Sequence, residues 1–235
     1  MYRWRATIGL ISPGTGPNME MDFHRFLPEG VSCATTRIPF GGPTPESLMK
    51  LADRLEETAA MFKRRPHDLV MFGCTSGSLI GGLDFDQECI RRIERSSGTR
   101  GMTTSTALLE GFRKLGVCRP AIVTPYPDDT NEAEARFLSH HGIDCTTIRG
   151  MKFREESIAD IEPGFVYQSV AELDLTGADS IFISCTGLNV LDIIPALEED
   201  YGLPVITSNQ VTLWGCLRHA SVGTRIPDLG TLFTL

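Results

Sequence analysis

Leu69-Val-Met-Phe-Gly-Cys-Thr-Ser-Gly-Ser78 and Ser180-Ile-Phe-Ile-Ser-Cys-Thr-Gly-Leu-Asn189 carry one pattern twice. Each stretch begins with a short apolar run that is typical of a buried strand, and each places a cysteine where that run ends. Small and hydroxyl residues follow both cysteines and favour a turn into the next helix. Cys185 lies 111 residues after Cys74, close to half of the 235-residue chain. The repetition predicts two similar halves.

Strand-like and helix-like segments alternate along the chain, which favours a parallel α/β fold. The first half reads as three strands and two helices: 7–11, 18–27, 31–38, 45–63 and 69–72 in chain order. The pattern then restarts: 121–125 matches the first strand, 129–140 the first helix, and 142–149 the segment 30–37. Cys145 follows Cys33 by 112 residues, nearly the spacing of the first pair. One constant offset indicates internal duplication.

The sequence therefore predicts an α/β fold of two lobes related by a pseudo-twofold axis, each a mainly parallel sheet flanked by helices. We expect residues 1–103 to form the N-terminal lobe together with the returning segment 209–235, and residues 104–208 to form the second. The seams near 98–104 and after Asn209 would be crossovers, and Ser105 is the expected N-cap of the helix that follows the first seam. The active site would lie in the cleft between the lobes.

Composition restricts the classes of protein to be considered. Hydrophobic residues make up 41% and charged residues 22% of the chain, as in soluble globular proteins. The net charge of −8 and the pI near 5.2 give no basic surface for nucleic acid. No apolar run approaches the ~18 residues that span a bilayer, and the first residues lack a signal-peptide core. Seven cysteines, an odd number, fit a reducing compartment, so we expect a cytoplasmic protein that binds neither nucleic acid nor membranes.

Ligands of parallel sheets bind outside the carboxyl ends of the strands. Cys74, Cys185, Tyr126 and the pair Pro13-Gly14 all follow predicted strands, so the pseudo-twofold axis would bring them to one cleft. The residues beside the two cysteines carry no charge: Thr75, Ser76, Ser78, Thr186, Gly187 and Asn189. A carboxylate would therefore be held by hydroxyl and backbone N–H groups rather than by arginine, and such donors also stabilise an enediolate.

Two opposed thiols permit two kinds of reaction. One thiolate can remove a proton from a carbon acid while the other thiol returns one, which gives racemisation. Alternatively, one thiolate can add to an activated double bond and allow rotation about it. A lone cysteine at a strand end is more often a small buried hydrophobe, and it is the matched pair that favours a catalytic role.

The other cysteines have no such motif. We expect core positions for all five, with the first and fourth in the middle of strands: Cys33, Cys89, Cys118, Cys145 and Cys216. No Cys-x-x-Cys or His-x-x-x-His spacing exists, so no metal site is expected. Gly14-Thr-Gly16 lacks the full dinucleotide fingerprint, and we expect no cofactor.

At these residues the chain resembles the aspartate/glutamate racemase superfamily, in the branch of maleate cis–trans isomerases, arylmalonate decarboxylases and the ectoine-utilisation protein A group. Four stretches are similar to the ectoine-utilisation group: Gly73-Cys-Thr-Ser-Gly-Ser78, Ser184-Cys-Thr-Gly187, Leu191-Asp-Ile-Ile194 and Leu203-Pro-Val-Ile-Thr-Ser-Asn-Gln210. Two are similar to the decarboxylases: Thr103-Thr-Ser-Thr-Ala-Leu-Leu-Glu-Gly111 and Tyr126-Pro-Asp-Asp-Thr-Asn131. The resemblance covers nearly the whole chain and is specific for the superfamily rather than for one reaction.

The resemblance implies roles for individual residues. Cys74 and Cys185 match the paired acid/base or nucleophilic cysteines of the superfamily. Hydroxyls that bind the reacting carboxylate and its enediolate are matched by Thr75, Ser76 and Tyr126, and backbone positions that contact a second carboxylate by Pro13, Gly14 and Gly187. Two loops correspond to the substituent pocket, at residues 40–48 and 151–153.

Two departures separate the possible reactions. Decarboxylases of this branch resemble the chain at Cys185 but carry glycine at the position of Cys74, so the second cysteine favours isomerase or racemase chemistry. Maleate isomerases carry asparagine where Gly16 stands, which disfavours maleate itself as the substrate.

Three functions stay open. The first is a cofactor-independent isomerase or racemase of a small carboxylate or dicarboxylate with both cysteines essential. The second is an arylmalonate-type decarboxylase in which Cys185 donates the proton. The third, from another class, is a non-catalytic carboxylate-binding protein. The expected partner is a small anionic carboxylate, and a homo-oligomer is compatible with the sequence.

Overall fold

Two four-stranded parallel sheets form the frame of the protein, as the repeated pattern predicts. The computed structural model describes residues 4–14, 16–39 and 45–235, and the side chains at 45–49, 52, 155 and 156 are outside that description. The first sheet has the strand order β2-β1-β3-β4 and the second the order β6-β5-β7-β8. The two orders are identical when the second set is renumbered, and every neighbouring pair is parallel. The two-lobe α/β prediction is confirmed.

The strands are short and almost entirely buried at the centre of each sheet. Their bounds are Ala6–Pro13 (β1), Val31–Ile38 (β2), Leu69–Phe72 (β3), Gly101–Thr103 (β4), Pro120–Thr124 (β5), Thr147–Gly150 (β6), Ser180–Ile183 (β7) and Val205–Thr207 (β8). Every residue of β3, β5 and β7 is buried, which explains why these segments read as continuous apolar runs rather than as alternating ones.

Helices connect the strands. Their bounds are Asn18–Phe26 (α1), Pro45–Ala60 (α2), Thr75–Leu79 (α3), Phe85–Ser97 (α4), Thr104–Leu115 (α5), Asp128–His140 (α6), Pro163–Ala171 (α7), Ile194–Tyr201 (α8) and Ser208–His219 (α9). Short 3-10 turns span Met61–Arg64, Glu155–Asp160, Leu191–Ile193, Pro227–Leu229 and Thr231–Phe233. No helix within the described ranges is long and apolar enough to cross a membrane.

The seam between the halves differs from the prediction. Residues 98–104 are not only a crossover, because they contain β4. The N-cap of α5 is Thr103, whose hydroxyl accepts a hydrogen bond from the backbone N–H of Thr106 at 3.1 Å. Ser105 is not the cap: it is the second residue of the helix, it is buried, and its Oγ lies 2.6 Å from that of Ser78. The N-cap is Thr103 instead of Ser105 because the strand continues to Thr103, the last extended residue before the helix.

Five cysteines were expected in the core, and the structure confirms two of them. Cys89 and Cys216 are buried, whereas Cys33 and Cys145 are half-buried. Cys118 is exposed, in the short connection before β5, so its predicted burial is wrong. Cys145 precedes β6 instead of lying within it, because this strand has four residues where its counterpart β2 has eight.

Two helices join the lobes through a shared core. Phe112 of α5 meets Phe182 of β7 edge to face, with ring centroids 5.6 Å apart, so a helix that follows the first sheet covers the second. Helix α9 packs against α5 and also contacts β3 of the first sheet. One hydrophobic cluster accordingly includes Leu10 of the first sheet and Ile122 of the second. The predicted lobe boundaries at 103/104 and 208/209 stay a prediction.

The close approach of α5 and α9 depends on a glycine. A Cβ at Gly215 would lie 2.9 Å from the Cβ of Ala107 and 3.0 Å from Cε of Met102. The alanine cannot move without its helix, so a side chain at this position would push the two helices apart.

We expect Gly215→Ala to lower the free energy of unfolding by about 1 kcal/mol, because overpacking of ~1–3 kcal/mol exceeds the ~1 kcal/mol gained in helix propensity. The same substitution at Gly164 of α7 is the control, since its added Cβ would meet nothing within 4 Å. Gly164→Ala should raise the free energy of unfolding by up to ~0.5 kcal/mol. Urea unfolding measures both, and changes of the same sign would contradict this account of the helix contact.

Candidate active site

Cys74 occupies the predicted position, at the carboxyl end of β3 and at the N-cap of α3. Its backbone is extended, with φ −146° and ψ 116°, and its Sγ accepts a hydrogen bond from the N–H of Gly77 at 3.2 Å. A Cβ at Gly77 would lie only 2.7 Å from that sulfur, so the glycine leaves room for the thiol. The side chain of Cys74 is buried, and a backbone N–H aimed at its sulfur favours the thiolate.

Cys185 follows β7 but does not start a helix, which corrects the sequence prediction. The next helical turn begins at Leu191, and Cys185 itself has a φ of 127°, in the region that side chains rarely adopt. Its half-buried thiol accepts a hydrogen bond from the N–H of Gly187 at 3.4 Å. The two thiols therefore receive the same kind of donor from turns of different shape.

We call the five consecutive residues 184–188 the Cys185 turn. Each of them forms a hydrogen bond with a residue of another segment. The Ser184 hydroxyl donates to Glu134, and the Cys185 N–H donates to Ser208 Oγ at 3.0 Å. The Thr186 hydroxyl donates to the carbonyl oxygen of Gly73 at 3.3 Å. The last two carbonyls accept from asparagine side chains: Gly187 from Asn18 at 2.7 Å and Leu188 from Asn209 at 3.3 Å.

Ser208 joins the two cysteine segments. Its Oγ accepts from the Thr75 hydroxyl at 2.9 Å and from the N–H of Cys185 at 3.0 Å. Together with the contact between Thr186 and Gly73, this bridge brings the carboxyl ends of β3 and β7 to one place. Sequence reasoning missed Ser208, although the short apolar run Val205-Ile206 just before it was a usable signal of a strand end.

Tyr126 lies beside Cys185 and is held there as a neutral hydrogen-bond donor. The Tyr126 hydroxyl is hydrogen-bonded to Cys185, and the residue is 7% exposed. Burial raises the pKa of Tyr126 well above its usual value, and the nearby Cys185 and Glu134 raise it further. Its backbone N–H donates to the Thr124 hydroxyl at 3.1 Å, which fixes the turn after β5.

Pro13 ends β1, and Gly14 continues the turn with a φ of 63°. The N–H of Gly14 donates to the carbonyl of Ile38 at 3.0 Å, so the turn stays attached to β2. Arg37, which sequence reasoning did not select, donates to the Gly16 carbonyl at 3.0 Å and pairs with Glu20 at 2.6 Å. The arginine therefore shapes the turn and has its charge neutralised by a neighbour. Ser76 is half-buried in the first turn of α3.

A segment of the second lobe covers the Cys185 turn. Asn18 Nδ2 donates both to the Gly187 carbonyl and, at 3.0 Å, to the carbonyl of Ala159. Ile158 packs so closely over Gly187 that an added Cβ there would lie 2.9 Å from its Cγ2. Neither Asn18 nor Ile158 was selected from the sequence, because their contacts join segments far apart in the chain: 141 and 169 residues for Asn18, and from residue 158 to residue 187 for Ile158.

The two loops predicted for the substituent pocket differ in what is described. Residues 40–44 lie outside the described residues, as do the side chains of 45–48. In the second loop, the N–H of Met151 donates to the Thr124 carbonyl at 2.8 Å and that of Phe153 to the Pro125 carbonyl at 2.9 Å. This loop therefore runs alongside the strand end that carries Tyr126. Among the described residues, no group of three His, Cys, Asp or Glu side chains could hold a metal ion.

Asp22 supports the Cys185 turn from α1. Its Oδ2 accepts from Asn209 Nδ2 at 2.7 Å, and the same amide donates to the Leu188 carbonyl. The carboxyl is 6% exposed, and burial raises its pKa from 3.8 to about 6, against the lowering effect of the Asn209 hydrogen bond. The Asp22 carboxyl in the folded protein is therefore protonated below a pH of about 6.

Comparison with known proteins places this site in a family. Residues 8–233 match the family model described as arylmalonate decarboxylase. The arylmalonate decarboxylase of Bordetella bronchiseptica is 30% identical over 231 residues, covering 97% of this chain and 96% of that protein.

Two solved structures are close to the whole chain. One is a liganded arylmalonate decarboxylase variant in which a glycine is changed to cysteine and a cysteine to serine; its TM-score is 0.88 at 30% identity, covering 97% of this chain and 98% of that one. The other is a cysteine-to-serine mutant of the Nocardia farcinica maleate cis–trans isomerase with a covalently bound succinylcysteine intermediate. Its TM-score is 0.90 at 20% identity, again over 97% and 98% of the two chains.

We expect Asp22→Asn to make stability less dependent on pH. A carboxyl whose pKa is raised by folding contributes stability that is present below pH ~4 and is lost as the pH rises through about 6. Asparagine keeps an acceptor for Asn209 without acquiring a charge. The free energy of unfolding of the variant minus that of the wild type should therefore increase by about 2–3 kcal/mol between pH 4 and pH 8.

Urea unfolding at these two pH values measures that difference. Asp53→Asn is the matched control, because Asp53 is exposed, pairs with Arg92 at 3.5 Å and lies outside the surroundings of Asp22. An advantage of Asp22→Asn that is the same at both pH values would contradict the burial of a titrating carboxyl.

Proposed function

Because the chain belongs to the arylmalonate decarboxylase family, we propose that it is an enzyme that isomerises or racemises a small carboxylate or dicarboxylate with two cysteines. The observation that carries this proposal is the bridge through Ser208, which holds the segments of Cys74 and Cys185 against each other. A reaction that needs only one proton donor gives no use for the second thiol.

The surroundings of each thiol suit a role as an acid, a base or a nucleophile. A backbone N–H donates to the sulfur of Cys74 and another to that of Cys185, and such donors stabilise the thiolate. The half-buried state of Cys185 leaves its sulfur within reach of a ligand, whereas Cys74 is 4% exposed. The proposal requires no cofactor, because the sulfur atoms supply both the base and the acid.

Neutral donors would hold the carboxylate of the substrate. The Tyr126 hydroxyl stays protonated near neutral pH, and the Ser76 hydroxyl lies in the turn after Cys74. The Thr75 hydroxyl donates to Ser208 in this structure, so it would have to turn away from Ser208 to donate to a substrate. The backbone turns at Pro13-Gly14 and Thr186-Gly187 would take a second carboxylate. Donors aimed at an oxygen that gains charge stabilise an enediolate more than they stabilise the resting carboxylate, and this difference lowers the barrier.

The electron flow differs between the two versions of the reaction. In racemisation one thiolate takes the proton from the carbon next to the carboxylate, the electron pair moves into the enediolate, and the opposite thiol protonates the other face. In cis–trans isomerisation one thiolate adds to the double bond, rotation follows about the single bond that results, and the C–S bond breaks to release the thiolate. The succinylcysteine of the Nocardia isomerase is a covalent adduct of the kind that the second version requires.

A second candidate is decarboxylation of a substituted malonate. The 30% identity to the Bordetella decarboxylase, higher than the 20% to the Nocardia isomerase, favours it. One carboxylate would leave as carbon dioxide, its bonding pair would form the enediolate, and the Cys185 thiol would deliver the proton. Cys74 would then have no required role.

We expect Cys74→Ala and Cys185→Ala each to reduce turnover by at least ~10²-fold, the usual effect of losing an acid or base in the transition state. Proton NMR in deuterated buffer measures this with maleate, substituted malonates, α-aryl acids and acidic amino acids. Isomerisation, decarboxylation and α-proton exchange leave different spectra, so one panel separates the reactions.

Cys118→Ala is the control, since Cys118 is exposed and lies outside the site. Carbon dioxide release that survives the loss of Cys74 but not of Cys185 would replace the leading proposal by the decarboxylase. Ligands that raise the melting temperature without any exchange of deuterium would indicate a binding protein and overturn both.

A further inference from the structure

Glu134 is a buried carboxyl directly behind the Cys185 turn. It lies on α6, is 0% exposed, and accepts a hydrogen bond from the Ser184 hydroxyl at 2.6 Å through Oε1. Its other oxygen, Oε2, is buried and has no hydrogen-bond partner in the described part of the chain. A carboxyl with one satisfied oxygen is expensive to bury in its charged form, so a purely structural role would be served better by an apolar residue.

The carboxyl also lies within electrostatic reach of the reacting groups. The titratable side chains that sense Glu134 are Tyr126, which precedes α6, and Cys145, which precedes β6. Tyr126 is in turn hydrogen-bonded to Cys185. Glu134 is thus linked to Cys185 in two ways: by the hydrogen bond from Ser184, the residue before Cys185, and by its electrostatic effect on Tyr126, whose hydroxyl is hydrogen-bonded to Cys185.

We propose that Glu134 is a positioning residue: through Ser184 it fixes the strand end that carries Cys185, and its charge state controls how readily Cys185 bears a negative charge. The inference rests on the proposed role of Cys185 as a reacting group, and on no particular substrate. The sequence does not reveal this role, because Glu134 is one of several polar residues in its helix and no motif marks it.

The direction of the effect follows from the sign of the charges. Burial raises the pKa of Glu134 from 4.5 to about 7, and the Ser184 hydrogen bond works against that rise. Below this pH the carboxyl is neutral and does not oppose a thiolate next to it. Above it, the carboxylate repels negative charge on Cys185 and on the oxygen atoms held by Tyr126.

Alkylation of Cys185 by iodoacetamide tests the proposal without any substrate. The rate at this one cysteine is followed by mass spectrometry of its peptide from pH 5.5 to 8.5. We expect Glu134→Gln to react at the wild-type rate at the acid end and about five- to tenfold faster at the alkaline end, since one pKa unit of coupling is a factor of ten. Glutamine retains an acceptor for Ser184 and removes only the ionisation.

Two further variants separate electrostatics from folding. Ser184→Ala removes the hydrogen bond that lowers the pKa of Glu134, so the wild-type inflection near pH 7 should move to higher pH. Glu132→Gln lies on the same helix, but Glu132 is exposed and faces Arg136 at 3.7 Å, so its rate should equal that of the wild type throughout.

A ratio of Glu134→Gln to wild type that is constant over the pH range would overturn the proposal, as would an unshifted inflection in Ser184→Ala. Because alkylation does not depend on turnover, failure here is distinct from failure of the isomerase proposal in the NMR panel. Thermal unfolding of each variant confirms that a folded protein was titrated.

Discussion

The left-handed backbone of Cys185 is the constraint on which the site depends. A non-glycine residue at such a φ costs about 1–3 kcal/mol and persists only when its surroundings fix it. Here every residue of the Cys185 turn is tied to another segment, and the ties come from α1, α6, α9 and the end of β3. Since these elements belong to both sheets, the thiol keeps its direction only while the lobes are joined. The packing of the two lobes therefore also determines the geometry of the Cys185 sulfur.

Duplication produced two cysteines, but the fold uses them differently. Cys74 has an ordinary extended backbone at the start of a short helix and is nearly closed to solvent, whereas Cys185 is strained and half-open. The proposed racemisation would not need two identical catalysts, because each thiol would meet only one face of the substrate. The asymmetry instead gives the two sulfurs different environments, and catalytic pairs with separated affinities for a proton are the common arrangement in acid–base sites.

The sequence alone predicted the features that repeat along the chain and the residues that follow a strand. The constant offset predicted two equal sheets, and the buried runs predicted where Cys74, Cys185 and Tyr126 would lie. It was insufficient wherever a contact joins distant segments. Ser208, Asn18 and Glu134 act through hydrogen bonds across 23 to 169 residues. Ser208 has only its place after a short apolar run to mark it, and nothing local distinguishes Asn18 and Glu134 from other polar residues. The prediction of a helix start after Cys185 was wrong for a related reason. The small residues of that turn suit a helix start locally, but hydrogen bonds to distant segments select another conformation.

The proposed anionic ligand requires this acidic protein to keep negative charge away from the cleft. Arg37, at the Gly14 turn, is already paired with Glu20, so the site gains no net cation from it. The two carboxyls closest to the Cys185 turn, Asp22 and Glu134, are buried, and burial shifts both pKa values toward neutrality. Burial of these two carboxyls therefore reduces the negative charge near the Cys185 turn, which in other proteins a lysine or arginine would offset. The proposed reaction would therefore take place among hydroxyls, backbone N–H groups and two carboxyls that lose their charge as the pH falls through about 7 for Glu134 and about 6 for Asp22, so a transient anion on sulfur or oxygen would meet less opposing charge at the lower pH.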